Sequence, residues 1–204
     1  MIGIFMILTS LVYIWYILYN IIPEKNNKLK GNYLSFYHSI VSTILSYSYL
    51  KNENLYTHKT FVLFSTSYFI WDLIFLMINR DVKNLYMYHH AVSIYLLFLS
   101  IQSHSYEYIS IFYIGELSNF FNYIMYYLIK KQYSKVIINI TNIIQLLWFS
   151  YWRVYILLLM GINYFNILFE DSFFILILLW SVYVMGVFWT FGQYKKVSRI
   201  LVKL

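Results

Sequence analysis

The chain has 204 residues, of which 61% are hydrophobic, 23% aromatic and only 11% charged, and it contains no cysteine. No water-soluble domain of this length tolerates such a surface, so the chain reads as an integral membrane protein, and disulfides, thiolate chemistry and cysteine-held metals are excluded. The formal net charge of +7 does not point to nucleic acid, because the basic residues gather in short connectors between apolar segments, where orientation in a membrane explains them.

Seven apolar windows follow one another: Ile2–Ile22, Tyr33–Leu50, Thr60–Ile78, Leu85–Gln102, Tyr106–Ile129, Val136–Met160 and Ser172–Gln193. Each is near the roughly 20 residues that a tilted spanning helix needs. The first lacks a basic leader and a small-residue cleavage site, so it reads as a retained helix. The fourth is the shortest and most polar, which leaves six spans plus a re-entrant segment as the alternative. Along the chain this gives a first transmembrane helix with its basic loop (1–32), a multi-pass domain (33–196) and a basic tail (197–204).

If seven helices alternate, Lys25, Lys28, Lys30, Arg80, Lys83, Lys130, Lys131, Lys135, Lys195, Lys196, Arg199 and Lys203 all fall on one side, and only Lys51 and Lys59 on the other. That asymmetry predicts a cytoplasmic C-terminus and an N-terminus outside.

Residues three or four apart share a helix face, so each window shows where its polar atoms gather. His38, Ser42, Ser46 and Tyr49 align in the second window, and Ser65, Tyr68, Asp72 and Asn79 in the third. Tyr86, His89, His90 and Ser93 mark the fourth. Glu116, Asn119 and Tyr123 align in the fifth, with Ser118 and Asn122 beside them, and Asn142, Gln145 and Arg153 in the sixth. Five stripes predict an all-α bundle of about seven transmembrane helices around a polar cavity. At about 1.5 Å per residue, His38, Asp72, His89 and His90 lie roughly 9–12 Å from the basic side, Glu116 about 21 Å and Arg153 about 27 Å. The cavity is therefore expected to open to the cytoplasm and narrow inward.

An ionisable cluster at that depth is costly and marks function, whereas His38 alone is as well explained by helix packing. Arg153 reads as a counter-ion for Glu116 or as a snorkelling residue near the outer boundary. His58 and His104 fall in outer loops and read as solvated. The aromatic residues read mainly as lipid-facing and interfacial packing. Adjacent histidines on a helix diverge by about 100°, so His89 and His90 do not chelate one ion, and no metal or other cofactor is expected.

In order, "FYHSIVST" (36–43), "SYFIWDLIFLM" (67–77), "YHHAVSIYLL" (88–97), "GELSNFFNYIMYYL" (115–128), "FSYWRVYILL" (149–158) and "VFWTFGQYKK" (187–196) resemble the TLC-domain family of multi-pass membrane proteins, which includes the ceramide synthases. The resemblance covers roughly residues 33–196. His89, His90 and Asp72 match the family pattern. Ceramide synthases follow the histidine pair with a His-Asp-x-x-Asp block, where this chain reads Gly115-Glu116-Leu117-Ser118-Asn119. The Glu-x-Ser pattern and Asn122 are more similar to the non-synthase branch.

The resemblance implies a role in lipid binding or membrane lipid homeostasis, with membrane lipids as partners and the endoplasmic reticulum as compartment. The alternative is an acyltransferase with fatty acyl-CoA as its substrate. One of His89 and His90 would act there as base or nucleophile, oriented by Asp72. His38, Glu116, Asn119, Asn122 and Arg153 would bind substrate. A proton-coupled transporter is a second alternative, although the chain shows no inverted repeat.

Overall fold

The computed structural model describes residues 2–79, 84–103 and 106–202, and every regular element within them is helical. The elements are α1 (Ile2–Ile21), α2 (Asn27–Asn52), α3 (Leu55–Ile78), α4 (Asn84–Ser103), α5 (Tyr106–Ser118), α6 (Phe120–Lys130), α7 (Lys135–Phe149), a π-helical turn (Ser150–Ile156), α8 (Leu157–Asn163), α9 (Phe165–Asp171) and α10 (Phe173–Leu201). Among the described residues, four stretches are long and apolar enough to cross a membrane: Gly3–Ile21, Leu55–Ile78, the continuous Lys135–Asn163, and Phe173–Leu201. Arg80, Lys83, His104 and Lys203 lie outside the described residues.

Helix ends depart from the apolar windows where a cap, rather than hydropathy, sets the boundary. Asn26 accepts the Leu29 N–H at 3.1 Å, so α2 begins six residues before Tyr33 and includes Lys28 and Lys30. Glu53 takes the left-handed conformation (φ 48°) and its N–H reaches the Tyr49 carbonyl at 2.6 Å, ending α2. Asn54 at once caps α3 by accepting from the Tyr56 N–H at 2.8 Å. This two-residue link draws His58 into α3. His58 is therefore fully buried, with its ring 5.0 Å from that of Tyr49, and not a solvated loop residue as its position after Lys51 suggests.

The fifth and sixth windows are not uniform α-helices. The backbone tightens at Asn119, where Asn119 N–H bonds to Glu116 O and Asn122 N–H to Asn119 O, separating α5 from α6. α6 closes on a Schellman-type motif, with Gln132 left-handed (φ 55°) and the Tyr133 N–H on Leu128 O at 3.1 Å. Ser134 then caps α7. In the sixth window the helix widens into the π-turn at Ser150–Ile156 before resuming as α8. Two further differences are the short α9 and the extension of α10 past Gln193 through its basic residues to Leu201. Arg199 in that last turn complements the helix dipole.

The backbone contacts gather into two compact units, one up to Tyr113 and one from Ile114 onward. In the first unit, α3 packs against α1, α2 and α4. Its central position explains why Phe61, Val62, Ser65, Thr66, Ser67, Tyr68, Phe69 and Trp71 are all buried, leaving no single polar face. In the second unit, α7 packs against α6 and α10, and the π-turn against α10.

Many aromatic side chains do lie on the outside, among them Tyr13, Tyr16, Tyr56 and Tyr151. The core of the first unit is aromatic as well. Trp15 of α1 is 2% exposed, its ring lies 5.1 Å from Phe64 and 5.2 Å from Tyr68, and its indole N–H donates to Ser67 Oγ at 3.1 Å. Lipid tails are as apolar as a leucine, so helices in a bilayer associate through such close packing and hydrogen bonds. Trp15→Ala is expected to cost about 3–5 kcal/mol and to lower the melting temperature in detergent, whereas Tyr13→Ala on the outer face changes stability by no more than about 0.5 kcal/mol.

Candidate functional site

In the first unit, the structure brings together the candidates on α2, α3 and α4. His38 is fully buried. Its Nε2 lies 2.9 Å from Ser42 Oγ one turn on, and that hydroxyl lies 2.8 Å from Ser65 Oγ of α3. The ring stacks on Tyr68 with centroids 3.8 Å apart and planes at 12°, and Tyr68 is itself fixed by donating its hydroxyl proton to Ser35 Oγ at 2.8 Å. His38 thus presents its edge to a serine chain and its face to an aromatic ring.

His90 of α4 is held at both ring nitrogens. Nε2 lies 2.6 Å from Asp72 Oδ2 on α3, and Nδ1 lies 2.8 Å from the carbonyl of Tyr86 one turn earlier. A backbone carbonyl only accepts, so Nδ1 carries a proton. An ionised carboxylate also only accepts. The pair therefore holds two protons, one on Nδ1 and one shared between Nε2 and Oδ2. The side chains are 8% and 14% exposed, so this is a nearly dry ion pair or its neutral equivalent.

Phe69 joins the three histidines. His38, His90 and His89 all meet its ring at steep angles, with centroids 5.3, 5.4 and 6.3 Å away. The His89 and His90 rings lie 5.7 Å apart and perpendicular, the divergence expected of neighbours on a helix. Asp72 is one turn beyond Phe69, so a single stretch of α3 supplies both the ring and the carboxylate. Tyr86, which shares the α4 stripe, points outward at 42% exposure and contributes its carbonyl instead. Among the described residues no three His, Asp or Glu side chains are placed to hold a metal ion.

The remaining candidates belong to the second unit and form two stations. The first is an amide cluster centred on Asn122. Its Oδ1 accepts from Gln145 Nε2 of α7 at 2.6 Å and from Gln193 Nε2 of α10 at 3.3 Å, while its Nδ2 donates to Asn119 Oδ1 at 3.2 Å. One asparagine thus ties three helices. Asn142, on the same predicted stripe, is satisfied within its own helix by donating to Ile138 O at 2.8 Å.

The second station is Arg153, in the π-turn. It is 3% exposed and packed against two glycines. A Cβ built on Gly115 would fall 2.9 Å from Arg153 Nη1, and one built on Gly186 only 2.8 Å from its Cγ. The chain is clamped inside the unit, not snorkelling to a boundary. Glu116, 6% exposed, interacts with it electrostatically, as does Tyr123. Arg153 Nε nonetheless has no hydrogen-bond partner among the described residues, nor do Trp152 Nε1 and Gln193 Oε1. Leaving a buried polar group unsatisfied costs about 1–3 kcal/mol, and more for a charged one.

Gln193, Trp152, Gly115 and Gly186 escape a search for ionisable residues. Small residues within apolar spans were the available signal for the two glycines, since they let a neighbouring chain approach closely. Nothing in the local pattern announces the π-turn.

A family model for the TLC domain matches residues 28–192. No curated protein and no solved structure matches the chain.

Three outcomes follow from this geometry. Nitrogen-15 spectra of labelled histidine are expected to show His90 Nδ1 protonated, and a bare Nδ1 would contradict the arrangement. Asp72→Ala strands the His90 ring and is expected to cost about 3–5 kcal/mol, read as a lowered melting temperature. Gly186→Ala forces the Arg153 stem aside, with an expected cost of about 1–3 kcal/mol by the same measurement.

Proposed function

The chain belongs to the TLC-domain family, and from that premise we propose that this membrane protein binds a lipid by its headgroup and serves membrane lipid homeostasis. The observation that carries the reading is His90. With one ring nitrogen on a carbonyl and the other on Asp72, the imidazole is fixed in place with no lone pair open for proton abstraction. Such a ring suits the shaping of a polar niche better than the turnover of a base. The departure of Gly115-Glu116-Leu117-Ser118-Asn119 from the His-Asp-x-x-Asp block supports the same reading and, with it, the non-synthase branch.

The accompanying topology is seven spans with the N-terminus outside, the C-terminus cytoplasmic and a polar cavity open to the cytoplasm. The one-sided distribution of lysine and arginine supports it. The endoplasmic reticulum is the compartment we propose on the family resemblance. Glu116, Asn119, Asn122 and Arg153, all in the second unit, are the proposed lipid contacts.

A second reading is an acyltransferase that takes a fatty acyl-CoA. The feature in its favour is His89, whose ring stands 5.7 Å from a His90 already oriented by Asp72. In this reading His89 exchanges the proton while the Asp72–His90 pair supplies a fixed polar wall beside it.

One experiment separates the two. Purified protein in nanodiscs is incubated with acyl-CoA and mixed lipid acceptors, and co-purified lipid, products and covalent adducts are read by mass spectrometry. The expected result is a retained lipid, lost in Asp72→Ala, with no acyl product and no adduct. Product formation abolished by His89→Ala would replace lipid binding with the acyltransferase reading.

A further inference from the structure

The π-turn supplies two donors that the fold leaves open. Arg153 is 3% exposed, yet its Nε–H has no hydrogen-bond partner among the described residues, and the buried indole N–H of Trp152 in the same turn has none either. Glu116 attracts the guanidinium but leaves the Nε–H unfilled. Were Arg153 only a counter-ion, its fork would be turned onto that carboxylate. It is held instead by the two glycines: Gly186 lies against the stem and Nε and Gly115 against Nη1, and neither fills the Nε–H with a hydrogen bond. A stationary guanidinium with an open N–H matches the oxygens of an incoming carboxylate or phosphate.

The surrounding helices give this donor pair a direction of approach. Gly115 and Gly186 mark its level, and seven residues on from each, Asn122 and Gln193 meet through their hydrogen bond. The two chain segments therefore run in the same sense, with the amide station about 10 Å beyond Arg153. Both continue to a basic end, Lys130 and Lys131 on one and Lys195 and Lys196 on the other, and Lys135 opens α7 beside Lys131. Cations gathered at one end of the unit raise the local concentration of anions, and Arg153 waits inside.

We propose that the Arg153 turn is the recognition site for an acidic headgroup, a phosphate or carboxylate carried by a membrane amphiphile. Arg153 Nε–H and Trp152 Nε1–H donate to its oxygens. The proposal rests on the lipid-binding reading above and names the class of lipid.

The test uses the full chain in detergent micelles, titrated with phosphatidic acid, oleate or diacylglycerol and, separately, with inorganic phosphate, with binding read by native mass spectrometry. The wild-type protein is expected to bind phosphatidic acid or oleate at least about tenfold more tightly than diacylglycerol. Arg153→Gln is expected to abolish that preference. Trp152→Phe keeps the ring and the packing and is expected to weaken the acidic amphiphile by about fivefold, so it decides the matter if Arg153→Gln does not fold. Equal binding of phosphatidic acid, oleate and diacylglycerol overturns the headgroup assignment and leaves lipid binding standing. Inorganic phosphate bound as tightly as phosphatidic acid overturns the amphiphile as source. No amphiphile bound by folded wild-type protein overturns the lipid-binding reading itself.

Discussion

In hydrocarbon no water reaches a polar side chain, so leaving one unsatisfied is costly and most that the sequence places inside a helix bond to the adjacent turn or to a neighbouring helix. Most of the hydroxyls here take the first route: Ser35, Thr43, Ser46, Ser110 and Thr190 each donate to the carbonyl four residues back. The groups that take the second route fix the helix pairs. Ser42 with Ser65 ties α2 to α3, Asp72 with His90 ties α3 to α4, and Asn122 with Gln193 ties α6 to α10. A small number of polar side chains thereby determines which helices are neighbours, and apolar packing fills the rest.

This constraint also separates supporting groups from those available to a ligand. His38, stacked and hydrogen-bonded, and His90, engaged at both nitrogens, are oriented by the protein around them. Arg153 is packed against Gly115 and Gly186 and attracted by Glu116, yet its Nε–H is left without a hydrogen bond among the described residues.

The all-helical class was legible because seven apolar windows of spanning length leave little alternative, and the convergence of His38, Asp72, His89 and His90 was legible because helical spacing and depth can both be counted from sequence. Cap positions were harder to read. Asn26 and Asn54 extend helices into polar turns that hydropathy assigns to loops, and His58 was misplaced for that reason. The buried aromatic core was hidden because a tyrosine facing lipid and a tyrosine facing its neighbour look alike in a chain so rich in both. Gln193 was missed because a single amide near a basic helix end resembles any interfacial residue; only the fold shows Asn122 beside it.

The π-turn has a consequence for the helix that contains it. A π-turn is an α-helix carrying one surplus residue, so whatever stripe runs along α7 is displaced by about 100° when the α-helical phase resumes in α8. The two halves therefore keep different company. α7 lies against α6 and α10, while α8 turns to α9 and α10. One continuous rod serves two sets of neighbours because its phase slips in the middle, and Arg153 sits on the slip.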